Sequence, residues 1–372
     1  DLGVFLRSDM LTRRDILAAS ISMATGKALV EPVAGWFETE SAGLAAGDGS
    51  GLGRIGMSAV DGIERTVRQF IASDASAGGG LAREAAVGQL KYAVDLAQHA
   101  GYSEAVGNRL LELIAHLSGW VGWMSHDAGM DGPAQRYFWY GIQAAREAGT
   151  ERAQLRAVGL LADMARQVQA TGHLDTARRL VDLALERVPD DPHRFNAVRA
   201  MLWNLKANVL GGMGAAHLSE VNRYIDRSFD LYHKAEDDEH SPAVAEYYPY
   251  TCEAELASVA AASYQELARE EAGLAGRAES HARYALDHRG DAFVRSKVFD
   301  RVTLTRIRFR AGELEQACVD GQQAIQMAGT VSESKRVRTQ LAQLMNDAAQ
   351  YQGRAEVREL REQLGLAIAG AV

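Results

Sequence analysis

Cysteine and proline are scarce, with two and six among 372 residues. Two cysteines, Cys252 and Cys318, cannot staple a fold with a disulfide framework or build a four-cysteine zinc site, so a reducing cytoplasm is the expected compartment. Six prolines against 36 glycines, in a chain where Ala, Leu, Glu, Gln and Arg recur throughout, leave long stretches free to be helical and argue against an all-β fold. Aromatic residues make up only 7%. No apolar run approaches the roughly 18 residues of a membrane span, because Lys27, Glu31 and regularly spaced charges interrupt each candidate. An excess of cations is also missing. The formal charge of -9 gives the chain nothing with which to neutralise a phosphate backbone, so contact with DNA is expected only through a segment not present here.

The usual catalytic signatures are missing as well. There is no H-E-x-x-H, no G-x-S-x-G and no Walker loop with its lysine, so the sequence predicts a protein that is not an enzyme, with no catalytic residue, cofactor or metal site. The stretch His233 to His240, with Glu236, Asp237, Asp238 and Glu239, reads as a solvated acidic loop rather than a cation site. What is present, 47% hydrophobic and 24% charged residues, suits one large globular body or two medium domains.

Three segments follow along the chain. Residues 1–56 read as a connector helix and a Gly-rich linker. Thr12-Arg13-Arg14-Asp15-Ile16-Leu17 and the small run after it have the shape of a twin-arginine export signal, but Lys27 and Glu31 cut the run short. A helix docked through Leu11, Ile16, Leu17, Ile21, Met23 and Leu29 is the preferred reading. Asp1 rather than Met opens the chain, as in a fragment, a tag remnant or a processed product. Gly51-Leu52-Gly53-Arg54-Ile55-Gly56 matches G-x-G-x-x-G literally, yet a linker rather than a strand precedes it, so no dinucleotide site is expected. Residues 57–101 read as a helical hairpin, from about Val60 to Ser73 and from about Leu81 to Ala100, broken at Gly78-Gly79-Gly80.

Residues 102–372 repeat at a period of roughly 34 to 50 residues. Gly122 and Gly129 are followed by Ala134, Phe138 and Gly141; Ala165 and Gly172 by Ala177, Val181, Ala184 and Pro189. Later copies carry Gly273, Ala278, Ala282 and Ala285, then Gly312, Ala317, Gly321 and Ala324. Between them, Leu202, Leu205, Val209 and Leu210 pair with Val221, Ile225 and Phe229 across a longer Gly211 to Gly214 turn. Helices from about Lys335 to Tyr351 and Ala355 to Leu366 close the array as caps. Each unit is a helix, a glycine turn and a second helix, with small residues where helices touch. This pattern resembles the tetratricopeptide repeat and predicts an all-α solenoid, since one hairpin cannot bury its apolar face alone.

The wording of the repeats is similar to one particular group. Tyr102-Ser103-Glu104-Ala105, Gly119-Trp120-Val121-Gly122-Trp123-Met124, Asp127-Ala128-Gly129, Ala134-Gln135-Arg136-Tyr137-Phe138 and Ala311 to Cys318 resemble actinobacterial regulators that join a helix-turn-helix head to a tetratricopeptide sensor. The segment Met10 to Gly35 looks like the connector after their DNA-binding head, and no helix-turn-helix is found in the chain itself. The resemblance implies a homodimeric sensor that binds a small molecule or short peptide in a concave groove and transmits a change of curvature. A scaffold that sequesters a protein partner is the alternative. In such repeats the first helix of each pair lines the groove. Carried over on that register, the groove residues are His116, Trp123, His126 and Asp127, then Arg166 and Gln169, then Asn204 and Asn208, with Glu255 and Arg306 extending the line. An asparagine pair at i and i+4 shares a helix face and suits gripping peptide amides. Trp123 and Tyr137 can equally be interhelix packing. Tyr247, Tyr248 and Tyr250 around Pro249 would either rim the groove or fill a kink.

Overall fold

The computed structural model describes residues 2–3, 5–6, 23–38, 53–77, 80–191, 194–236, 252–331 and 334–370. The Arg13-Arg14 segment, most of the Gly-rich linker and the Tyr247 to Tyr250 cluster lie outside the described residues. The chain forms two compact units. One is Asp1–Asp74 with Gly79–Asp190, and the other is Asp191–Val372 with Ala75–Gly78. The fold is an all-α solenoid of consecutive helical hairpins. Among the described residues there is no strand, only one isolated bridge between Arg54 and Gly101 that seats the end of the linker.

In the first unit, α1 (Lys27–Glu38) is followed by α2 (Met57–Ala77) and α3 (Gly80–His99), then by two hairpins, α4 (Glu104–Asp127) with α5 (Asp131–Ala148) and α6 (Glu151–Ala170) with α7 (Leu174–Arg187). Val60, Ile63 and Val67 fall on one stripe of α2 and are buried, the spacing of an amphipathic helix. Arg83 of α3 donates to Ser125 Oγ of α4 at 2.8 Å, tying α3 to the first repeat. The start of α6 is set locally: the Thr150 hydroxyl caps it by accepting from the Ala153 N–H at 3.1 Å, and Glu151 places a negative charge in the first turn.

In the second unit the hairpins are α8 (Asn196–Gly212) with α9 (Leu218–Glu236), α10 (Glu253–Leu267) with α11 (Ala275–His288), α12 (Val294–Ala311) with α13 (Leu314–Ala328), and α14 (Lys335–Asp347) with α15 (Ala355–Ile368). The terminal pair stands where the sequence places its caps, with a short 3-10 turn over Ala348–Tyr351.

Three hairpin turns are copies of one device. Gly129, Gly172 and Gly312 have φ of 81°, 87° and 79°, a region that favours glycine. At each, the glycine N–H bonds to the carbonyl three residues back and the following N–H to the one five back from itself, as in Met130 to Ser125, His173 to Val168 and Glu313 to Arg308. This is the Schellman termination, which satisfies the last carbonyls of the helix. Gly273, aligned with these glycines on the sequence, does otherwise. Helix α10 ends in a tighter turn through Ala268 to Glu271, and Gly273 falls inside a 3-10 turn, Ala272–Leu274.

The N-terminal segment docks on the second helices of the first two repeats. Leu29 and Val33 of α1 are fully buried, and α1 packs on α7 and α5. Ahead of it, Ala24 and the Gln135 side chain of α5 exchange two hydrogen bonds, both 2.8 Å, and the Gly26 N–H donates to Thr176 Oγ1 at 2.8 Å. Phe5 packs edge-on to Tyr137 at 5.0 Å. The docked helix is thus found at Leu29; Leu11, Ile16, Leu17 and Ile21 lie outside the described residues. Gln135→Leu removes both amide contacts while keeping the bulk. We expect it to leave the far-ultraviolet spectrum unchanged and to make the chain between Met23 and Glu38 cleave faster in limited proteolysis. Unchanged cleavage would show that α1 is held by its apolar contacts alone.

Candidate functional site

Helices α2, α4 and α6 bring one line of charge together in the first unit. Glu64 of α2 pairs with Arg68 at 3.0 Å and with Arg109 of α4 at 2.5 Å. Arg109 also pairs with Glu112 at 2.9 Å. Thr150 donates to Glu112 at 2.5 Å, and Arg152 of α6 stands 3.9 Å from the same carboxylate. Desolvation would raise the Glu64 carboxyl, but Arg68 and Arg109 outweigh it and hold it below its ordinary range.

His116 sits one turn beyond Glu112. The Trp120 indole N–H donates to its Nε2 at 2.9 Å, which requires a lone pair there and so a neutral ring protonated on Nδ1. Burial holds His116 well below the usual imidazole range, and Arg156, Arg152, Arg109 and Arg68 add to the effect. Around this neutral ring stand four guanidiniums and two carboxylates. The face is locally cationic in a chain whose formal charge is -9.

The other residues expected in the first unit lie further along α4 and α6, toward their C-terminal ends. Trp123 is half-buried, edge-on to Phe138 at 5.9 Å and to His126 at 5.7 Å. His126 is buried with Nδ1 2.5 Å from the Asp131 carboxylate at the start of α5. Asp127 is buried at the end of α4, and Arg166 and Gln169 are half-buried on the last turns of α6. Their neighbour Gln167 donates to the Asp131 carbonyl at 2.6 Å, so His126 and Gln167 both converge on the head of α5.

Asn204, Asn208, Glu255 and Arg306 belong to the second unit. Asn204 is 1% exposed, and its amide donates to Ser228 Oγ at 3.1 Å and to the Leu256 carbonyl at 3.3 Å. Asn208, half-buried one turn on, donates to Ser263 Oγ at 3.3 Å. The pair shares a face, as its spacing predicts, and that face grips helix α10. Glu255 accepts from Arg289 at 2.9 Å. Arg306 donates to Asp347 at 2.7 Å and to Gln343 at 2.9 Å, and Arg310 reaches the same Asp347 oxygen at 3.3 Å. Two guanidiniums on one carboxylate leave a cationic edge across α12 and α14.

Three clefts of the second unit are open to water and charged. The first, about 450 Å³, lies between α9, α10 and α11 and is lined by Asn222, Asp226, Tyr264, Arg277 and His281. The second, about 240 Å³, is lined by Arg283, Asp287, Arg301, Arg308 and Asp320. A third of about 450 Å³ opens beside the turn at Gly312.

Among the described residues no group of three His, Cys, Asp or Glu side chains could hold a metal ion, and no helix is long and apolar enough to cross a membrane. No protein-family model matches the chain, and no curated protein matches it.

The sequence reading found His116 and missed Arg68, Arg109, Arg152 and Arg156. Arg109 and Arg152 stand the same number of residues ahead of their turn glycines, Gly129 and Gly172. That repeated cation is the signal by which the face could have been found. Asp226 and Arg277 carry no such mark, because their meeting depends on how two second helices splay over a first.

Proposed function

We propose that this chain is the sensing part of a cytoplasmic helix-turn-helix regulator, a repeat domain that binds a ligand and does not catalyse. Its ligand is a short anionic peptide held along the first-helix face of the first unit. The observation that carries this reading is the line of guanidiniums across α2, α4 and α6, in which Arg68, Arg109 and Arg152 meet the carboxylates of Glu64 and Glu112 one turn from His116. A half-buried guanidinium face of this kind favours carboxylates through charge-assisted hydrogen bonds. Such a ligand would bias one hairpin angle over another, and a homodimer would pass the bias to DNA-binding heads upstream. The residues carried over from the repeat register, Trp123, His126 and Asp127, follow His116 along the same helix.

The second reading, a scaffold that sequesters a protein partner, is supported by the same line of guanidiniums, which an acidic segment of a protein would also fit. Calorimetric titration with a glutamate hexapeptide and a lysine hexapeptide tests the site. The acidic peptide is expected to bind with an affinity that falls as salt rises, and Arg152→Gln or Arg156→Gln to weaken it by about tenfold. Equal binding of both peptides, or of neither, would remove the anionic ligand from the proposal. Native mass spectrometry of protein from its own cells separates the two readings. A co-purifying peptide supports the sensor, and a stoichiometric protein partner supports the scaffold.

A further inference from the structure

Two side chains of opposite charge line one open cleft of the second unit. In the cleft between α9, α10 and α11, Asn222 and Asp226 stand one turn apart on α9, and Arg277 and His281 one turn apart on α11. Tyr264 of α10 stacks on His281, with ring centres 5.7 Å apart and planes within 17°, and the two rings form the floor. The Arg277 guanidinium lies 6.0 Å from the Tyr264 ring centre. Asp226 and Arg277 both line this cleft, on facing second helices. Among the described residues no ion pair joins them, although each stands within reach of the cleft.

The hydrogen bonds already made sort the remaining donors and acceptors. Asn222 Oδ1 accepts from the Tyr264 hydroxyl at 2.9 Å and from Arg277 at 3.3 Å. This fixes the amide with its oxygen toward both partners and holds the Arg277 side chain against the Tyr264 floor. The Ser280 hydroxyl is turned inward, donating to the Gly276 carbonyl at 2.9 Å. Burial holds His281 below the ordinary imidazole range, with Asp226 opposing and Arg277 adding to the effect, so the ring brings no charge at neutral pH.

We infer that this cleft is a binding site for a free α-amino acid, with the carboxylate on Arg277, the ammonium on Asp226, and the side chain over Tyr264 and His281. The volume of about 450 Å³ admits any amino-acid side chain, and the aromatic floor favours a flat or branched apolar one. The site stands in the second unit, apart from the arginine face, and does not rest on the regulator reading.

Titration of the full chain with L-phenylalanine, L-leucine, phenethylamine and 3-phenylpropionate, followed by calorimetry, tests the inference. At least one amino acid is expected to bind, and each singly charged analogue to bind about tenfold more weakly than phenylalanine. Asp226→Asn should erase the difference between phenylalanine and 3-phenylpropionate, and Arg277→Gln the difference between phenylalanine and phenethylamine. Both side chains are exposed, so both variants keep the wild-type circular dichroism. Silence from both amino acids at millimolar concentration, or equal affinity for the charged and half-charged probes, would overturn the site. Either result leaves the hexapeptide test of the first unit unaffected.

Discussion

Arg289→Met is expected to cost the second unit about 3–5 kcal/mol, the range for removing one partner of a buried ion pair. Arg289 follows α11 and reaches into two neighbours. It donates to Asp300 of α12 at 2.6 Å and to Glu255 of α10 at 2.9 Å, and its side chain is 1% exposed. Removing the guanidinium leaves the buried Asp300 carboxyl without its cation, beside a half-buried Glu255. Asp300→Asn is expected to cost far less at pH 7, since Arg289 keeps Glu255 and Ser258 keeps a polar partner at the site. Burial pushes the Asp300 carboxyl up to about 6, against the pull of Arg289 and Ser258. Between about 3.8 and about 6 the folded state therefore holds a proton that the unfolded chain has released. Stability from this group is fully present below about 3.8 and is lost as pH rises through about 6. Wild type should accordingly gain on Asp300→Asn as pH falls from 7 towards 5. Urea unfolding of the three proteins at both pH values measures this. A loss in Arg289→Met no larger than in Asp300→Asn, or the opposite drift with pH, would contradict it.

The same residue explains where sequence reading stopped. Glu255 was placed on a groove by counting along the repeat, and the count rightly puts it on a first helix. What it faces depends on Arg289, which lies in a connection and carries no periodic signal. Asn204 and Asn208 tell the same story. Their i, i+4 spacing gives a common face, but whether that face meets ligand or the next helix is decided by the close approach of α10. Turns and helix pairs were legible because they depend on local chemistry: Gly129, Gly172 and Gly312 need a left-handed angle, and the hairpins follow from them. Gly273 misled because a glycine after a helix does not itself demand that angle. The charged face around His116 lay between these cases. Each arginine is ordinary alone, and only the stacking of α2, α4 and α6 makes a site of them.

The close pairing of α4 and α5 gives the other large effect. Phe138 is fully buried, and a Cβ on Gly122 would stand 2.5 Å from one of its ring carbons. Glycine at 122 is thus the space the Phe138 ring occupies, and the two residues are one contact read from both sides. Phe138→Ala is expected to cost about 3–5 kcal/mol for the lost transfer energy and the cavity left behind. Gly122→Ala alone should cost about 1–3 kcal/mol, because the ring must move away from a methyl it cannot avoid. With both changes made, the sign at 122 should reverse. Alanine in a helix interior is favoured over glycine by about 0.5–1 kcal/mol, and in the Phe138→Ala protein nothing remains to oppose it. Thermal unfolding of the single and double variants closes the cycle. Additive costs would mean that the helices already adjust their separation freely. A reversal would mean that the spacing of α4 and α5 is fixed by this contact, and with it the position of Trp123, which rests edge-on against the same ring in the helix that carries His116.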